Sequence, residues 1–213
     1  MSINLLKVIL YYTRFSFIYF IIPESCNIMK MKIIKKTPFG PVVLLWTLFA
    51  DNPVIVRIIL SSPQFSAENL VHKLYPNSIQ SSCAEIDSLA LDIKSFMEGE
   101  KIVFALDNIA LENCSEFQYN VLMTEYRISW GSVGTYQLIA RYLGNEKASR
   151  AVGNALARNP FPIIIPCHRA IRSDGSIGGF QGGADMKRAL LENEGIIFDG
   201  KGKVPKHCLL NKI

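Results

Sequence analysis

Asn159-Pro160-Phe161-Pro162-Ile163-Ile164-Ile165-Pro166-Cys167-His168-Arg169 sets a thiol and an imidazole side by side after a turn signal and three consecutive isoleucines. A cysteine attacks as its thiolate, and with an ordinary pKa of about 8.5 it is mostly protonated at neutral pH. A reactive one therefore needs a base or a positive field beside it. His168 and Arg169 are residues of that kind, which makes Cys167 the candidate nucleophile. Adjacency alone is more often the pattern of a small buried hydrophobe at the end of an apolar run. The flanking chain has to separate the two readings.

Upstream, the chain reads as short helices divided by glycine-containing turns. Residues 117–126 form one helix, Trp130-Gly131-Ser132-Val133-Gly134 a turn, and Thr135 is placed to cap a helix over 136–143 that stops at Gly144-Asn145. A third helix, 147–158, is small on one face (Ala148, Ala151, Gly153, Ala155, Ala157) and basic on the other (Lys147, Arg150, Arg158). Two short helices at a tight turn, the second small-faced and basic, have the form of a helix-turn-helix, although any three-helix core also needs small residues where helices touch. Arg169, Arg172, Lys187 and Arg188 extend the positive charge. A basic face near a thiol favours phosphate contact and thiolate formation together.

Further upstream the texture is different. Residues 40–46 and 54–60 are apolar runs around Asp51-Asn52-Pro53, a hairpin signal with a turn longer than two residues. A short helix opens at Ser66 or Ala67 and runs through His72, and a stronger one spans 84–97 with Ile86, Leu89, Leu91, Ile93 and Phe96. Gly99 ends it, and 101–106 reads as another strand. No catalytic constellation stands out in 30–110, and His72 is alone on its helix. Residues 1–28 are an apolar leader interrupted by Lys7 and Arg14, neither a clean membrane span nor a clean signal peptide. A translation-start artefact, with the true start at Met29 or Met31, is the preferred account, and a peripheral membrane segment is the alternative.

At 213 residues the chain suits two small domains, 29–112 and 113–197, with a tail over 198–213. The net charge of +5 fits a nucleic-acid binder as well as an ordinary cytosolic protein, so its distribution carries more than its size. Five cysteines without a C-x-x-C pair argue against a disulfide framework and for a reducing compartment. Zinc-like spacing is missing too, and His207-Cys208 reads as an incidental pair.

At Pro166-Cys167-His168-Arg169 the chain resembles the O6-alkylguanine-DNA alkyltransferases, which repair DNA by moving an alkyl group from guanine O6 to a cysteine of their own. The resemblance runs from about residue 117 to 195, through Thr135-Tyr136, Arg150-Ala151-Val152-Gly153, Asn159-Pro160, the Cys-His-Arg core, Gly175, Gly178, Gly182-Gly183, Lys187, Leu190-Leu191 and Glu194-Gly195. It implies an α/β fold class, with a small ribonuclease H-like α/β N-terminal domain and a helical, winged helix-turn-helix C-terminal domain carrying the active site. It implies Cys167 as alkyl acceptor, His168 as general base acting through a water, and Glu194 as the group that orients and charges the imidazole. Asn159 is expected to hold the turn that carries the cysteine. Tyr136 is expected to donate a proton or hydrogen bond to the departing guanine, and Arg150 to fill the stack left by the rotated nucleotide.

By the same resemblance, Thr135, Ala151, Gly153, Arg158 and Arg169 join Arg150 against DNA, small residues allowing close approach in the minor groove. Ala170, Phe180, Gln181 and Lys187 join Tyr136 around the substrate pocket. A stacked duplex hides O6, so the base must be flipped out. The thioether product does not hydrolyse under mild conditions, so each molecule acts once, and no cofactor or metal is expected. The implied partner is double-stranded DNA containing O6-alkylguanine, with O4-alkylthymine left open. A monomer without a stable protein partner is expected, cytoplasmic, and nucleoid-associated or nuclear according to host. Two departures from the family stand out: Phe180 and Gln181 lie where Tyr and a small residue are more usual, and Trp130 replaces a smaller ring. A bulky Gln181 is expected to narrow the pocket and favour methyl over benzyl lesions. A binding-only relative would lack the acceptor cysteine, and a transcriptional regulator would bring a dimer and a sensor domain.

Overall fold

Val42-Val43-Leu44-Leu45-Trp46 is a continuous apolar run, the pattern of a strand covered on both faces. In the structure, a computed structural model, it lies in the middle of a four-stranded sheet. The structure describes residues 28–213 and, before them, the backbone of two strands, β1 (Val8–Tyr11) and β2 (Ile18–Ile21), paired antiparallel. The leader reading of 1–28 falls largely on residues outside the described ones.

The sheet has the order β5-β4-β3-β6, from β3 (Lys30–Ile34), β4 (Val42–Phe49), β5 (Asn52–Leu60) and β6 (Ile79–Gln80). All neighbours are antiparallel except β3 and β6, which pair in parallel, the helix α1 (Ala67–Leu74) carrying the chain from β5 to β6. Alternation along β4 then sorts the core. Val43 and Leu45 meet Ala67 and Val71 of α1 on one face. Val42, Leu44 and Trp46 meet Ile86, Ile93 and Phe96 of α2 (Ala84–Met97) on the other. Each such side chain, fully buried, contributes roughly 1.5–3 kcal/mol.

Two expectations fail in this half. The β4–β5 turn is the two-residue pair Ala50-Asp51, both at positive φ, and Asn52 and Pro53 already belong to β5. A tight hairpin turn of this hand matches the strand twist, and the Asn52 side chain supports it by donating to Ala50 O at 3.0 Å. Residues 101–106 form no strand: the chain there is unpaired and meets β5 only afterwards, through the bridge between Ile55 and Ile109.

The second half is helical: α3 (Glu116–Tyr126), α4 (Tyr136–Tyr142), α5 (Ser149–Ala157) and α6 (Ala184–Asn193). Ser115 caps α3 and Thr135 caps α4, accepting from Gln118 N and Leu138 N. The expected start of α5 at 147 falls in a 3-10 turn, Glu146–Ala148, that leads into it. A parallel pair, β7 (Gly134–Thr135) with β8 (Ala170–Ile171), ties the turn before α4 to the segment after the cysteine. The segment expected as a tail is fastened to this half: Val204 is buried and donates to Gly175 O, and Val133 and Leu210 bond across to each other's stretch. One continuous core joins β4, α2, α3, α5 and the isoleucine run. Among the described residues no helix is long and apolar enough to cross a membrane.

Candidate active site

The turn that carries Cys167 is built on Asn159. Its side-chain carbonyl accepts from Phe161 N at 2.9 Å and its amide donates to Ile165 O at 3.0 Å, so one buried side chain spans the loop that closes behind the cysteine. The isoleucine run is an anchor without being a strand. Pro162 and Ile165 bridge within it, and Ile163 takes φ +77, a left-handed conformation that a β-branched residue adopts only when its surroundings enforce it. Those surroundings are the core, where Phe161, Ile163, Ile164 and Ile165 are all buried. Cys167–Arg169 then forms one 3-10 turn, its cysteine 6% exposed.

His168 is completely buried, and its Nε2 lies 2.8 Å from Glu194 Oε1. Burial by itself would raise the Glu194 carboxyl, but hydrogen bonds and charge from His168 and Arg169 hold it below its ordinary value. An ionised carboxylate only accepts, so Nε2–H donates and the lone pair of the imidazole sits on Nδ1. Nδ1 is buried and has no hydrogen-bond partner among the described residues. Burial also lowers the His168 pKa, with Glu194 opposing, so the ring is a neutral base with its acceptor nitrogen free. Glu194 receives further bonds from Gly131 N at 3.1 Å and from Arg169 Nε at 3.0 Å to each oxygen. Gly131 sits at φ +76 in the turn before β7, a conformation that costs glycine little.

Cys167 itself rests as a thiol. Burial pushes its pKa up to about 11, Glu125 adds to the rise, and a hydrogen bond from Asn159 together with Lys187 pulls it back. Lys187, on α6, is fully buried and donates to Ala170 O at 2.6 Å and Gly179 O at 3.2 Å, joining the exit of the cysteine turn to the glycine-rich wing. Its ammonium lies 5.8 Å from the centre of the Tyr136 ring. Tyr136 packs against Gly178, where a Cβ would stand 2.7 Å from the phenolic oxygen. Burial, with Glu125 and Cys167 adding, pushes Tyr136 up to about 12, so it is a proton donor at neutral pH. The ring also lines a cleft of about 590 Å³ with Arg150, Gly153 and Arg172. Ala170 is buried in β8, and the Phe180 ring stands 6.2 Å from His168, edge to face.

Arg150, Ala151 and Arg158 are exposed on α5, while Val152, Ala155 and Leu156 face the core. The expected division of this helix is therefore corrected: small and basic residues share the outward face, and Ala155 packs inward. Gly153 opens onto free space. Arg169 departs from its expected place against DNA. It is 8% exposed, and its guanidinium is engaged by Glu194 and by Ile128 O at 2.6 Å. The Thr135 hydroxyl is taken by Leu138 N at 3.0 Å. Gln181 departs as well: its carbonyl accepts from Leu60 N at 2.8 Å, so its head group is fixed on the β5 edge instead of standing free as a pocket wall.

Two participants, Gly131 and Glu125, were missed in the sequence, and Arg169 was given another role. Arg169 and Gly131 hold Glu194, and Glu125 of α3 lies at the heart of the site, fully buried. Glu125 had a legible signal, since it falls on the apolar face marked by Val121 and Ile128, at i+4 from the first and i−3 from the second. Among the described residues no group of three or more His, Cys, Asp or Glu side chains is placed to hold a metal ion, and Cys83, Cys114, Cys167 and Cys208 are free thiols.

Comparison with known proteins agrees with this geometry. Residues 116–196 match the family described as the DNA-binding domain of 6-O-methylguanine DNA methyltransferase. The chain is 37% identical over 161 residues to a methylated-DNA–protein-cysteine methyltransferase of Methanothermobacter thermautotrophicus, an alignment covering 76% of this chain and 85% of the relative. It is 34% identical to a protein of the same name from Metallosphaera sedula, over 79% of this chain and 93% of that one. The structure superimposes on a Mycobacterium tuberculosis protein of this kind in complex with DNA, with a TM-score of 0.62 and 28% identity, covering 78% of this chain and 92% of that chain.

Proposed function

The chain belongs to the methylated-DNA–protein-cysteine methyltransferase family, and we propose that it repairs O6-alkylguanine in double-stranded DNA by moving the alkyl group to Cys167, once per molecule. The observation that carries this reading is the pairing of a buried, neutral His168 with Glu194, which leaves Nδ1 free beside the only cysteine of the turn.

In this account a water held by His168 Nδ1 takes the thiol proton, and Glu194 stabilises the imidazolium that forms. The thiolate sulfur attacks the alkyl carbon, a C–S bond forms as the C–O bond breaks, and the electron pair leaves with guanine. Tyr136 protonates or hydrogen-bonds the departing base, and the Lys187 ammonium, beside its ring, offsets the negative charge passing through the site. A thiol at about 11 is poorly ionised at rest, which keeps it inert until its proton passes to the base. Asn159 positions the turn. Arg150 and the small outward residues Ala151 and Gly153 are read as the surface that enters the minor groove, with Arg150 filling the gap left by the flipped nucleotide. Arg158 contacts phosphate. The domain division at about 112, a monomeric state, and action in the cytoplasm or on the chromosome complete the proposal.

Peptide mass mapping after incubation with a duplex bearing one O6-methylguanine tests it. A single methyl on the peptide containing Cys167 is the expected result. Methylation on Cys83, Cys114 or Cys208 instead, or an unmodified protein with unrepaired DNA, contradicts it.

A further inference from the structure

Glu125 has no place in the reaction as described above, yet it is among the most completely buried ionisable groups of the site. It sits on α3 with zero exposure, and neither of its carboxyl oxygens has a hydrogen-bond partner among the described residues. An unpartnered buried acid is costly to keep, and such groups cluster where function requires them. The helix packs against the cysteine turn, and the charges facing Glu125 come from that turn and from α6, while α4 and α5, which also pack on α3, supply none among the described residues. Lys187 approaches from α6, Arg169 from the cysteine turn, and Glu194 from the C-terminal end of α6, while Glu125 in turn acts on Cys167 and on Tyr136 of α4.

We propose that Glu125 is an electrostatic brake on Cys167: a buried positioning residue whose negative charge, when it forms, competes with the thiolate for the Lys187 ammonium. The inference rests on the alkyl-transfer reading of Cys167. With the carboxyl protonated, Lys187, whose hydrogen bonds go to the neutral carbonyls of Ala170 and Gly179, keeps an unshared charge whose field favours sulfur. With the carboxyl ionised, Lys187 is shared and the added negative charge opposes a second one on Cys167. Burial pushes Glu125 up to about 8, with Lys187 and Arg169 opposing, and burial brings Lys187 down to about 8, with Cys167 and Glu125 opposing. The brake is therefore released at neutral pH and engages as pH passes about 8, where ionised Glu125 keeps Lys187 charged as its own partner in place of Cys167. No redox partner or cofactor enters, since only one proton leaves Glu125 for solvent.

The test is the pH profile of single-turnover methyl transfer for the wild type, Glu125→Gln, Glu125→Leu and Glu125→Asp. The ratio of the Glu125→Gln rate to the wild-type rate is expected to rise by about tenfold between pH 6 and pH 9.5, the equivalent of one pH unit in thiol ionisation. Glu125→Leu should follow Glu125→Gln, and Glu125→Asp should restore the wild-type shape. A ratio constant with pH, or an Asp variant that behaves like Gln, overturns the proposal. The rate at which iodoacetamide modifies Cys167, read by mass spectrometry of its peptide, should show the same divergence. That second readout does not depend on transfer: absent methyl transfer in the wild type would sink the functional reading, whereas parallel iodoacetamide profiles would sink the brake alone.

Discussion

Glu194 is where three needs meet in one side chain. It fixes the tautomer of His168, neutralises the buried Arg169 guanidinium and receives the Gly131 amide. Glu194→Gln keeps the shape and removes the charge. It should slow methyl transfer by about 100-fold or more, because the base loses its orienting partner. It should also lower stability by about 3–5 kcal/mol, because Arg169 is left as an uncompensated buried cation. Single-turnover rates and urea midpoints check the two parts, and an unchanged rate would remove Glu194 from the mechanism. Glu125 makes a stability prediction of the opposite kind. Its folded-state pKa of about 8 lies above the ordinary 4.5, so the folded protein binds the extra proton between those values. Stability from this group is full below about pH 4.5, falls as pH rises to about 8, and is level beyond, at about 1.4 kcal/mol for each pH unit. The gain of Glu125→Gln over the wild type should therefore grow across that window in urea unfolding. A gain independent of pH would show that the carboxyl is not held neutral. The cysteine and its histidine were legible from adjacency, but the burial of Arg169 was not, because an arginine beside a nucleophile reads equally well as a phosphate contact.

The helices were read well where spacing and caps agreed. Residues 84–97 came out with both ends in place, and Thr135 caps α4 as its position implied. Failures lie where local pattern and tertiary pairing diverge. Residues 101–106 have strand composition but no partner edge, since β5 is occupied by Asn108, Pro160 and Gln181. The isoleucine run has strand residues but is wound into a turn, with Ile163 at a positive φ that no propensity would suggest. The Ala50-Asp51 turn lacks the Asn-Gly signature of its class. The wing makes a prediction through Gln181. Gln181→Ala leaves the buried Leu60 amide without its acceptor and should cost about 1–3 kcal/mol in stability. The preference between methyl and benzyl lesions should stay as it was. A pronounced gain of activity on benzyl lesions would return Gln181 to the pocket wall. On α5, Arg150→Ala should slow transfer from duplex DNA by at least about tenfold while sparing free O6-benzylguanine, because only a stacked base has to be extruded. Equal losses on both substrates would place Arg150 in the chemistry instead.

Across the molecule, the sheet and the helices are one packed body. β5 donates Ile58 N to Pro160 O and Leu60 N to Gln181, so the edge of the sheet grips both the cysteine turn and the wing. Asn193 reaches back to Met97 O from α6, closing the same seam from the other side. This explains why residues 30–110 offered no catalytic pattern: their contribution is to hold the loop and wing of the second half, and a backbone edge leaves no residue signature. The second half was legible by its ordered motif, because chemistry constrains side chains there. The central claim is that Cys167 accepts one alkyl group and keeps it. The most direct measurement is label transfer from a duplex carrying O6-[methyl-labelled]guanine in excess over protein. The account predicts one equivalent of label bound per protein, no further release with time, and no transfer by Cys167→Ala. Continued turnover, or label bound by the Cys167→Ala variant, would contradict it.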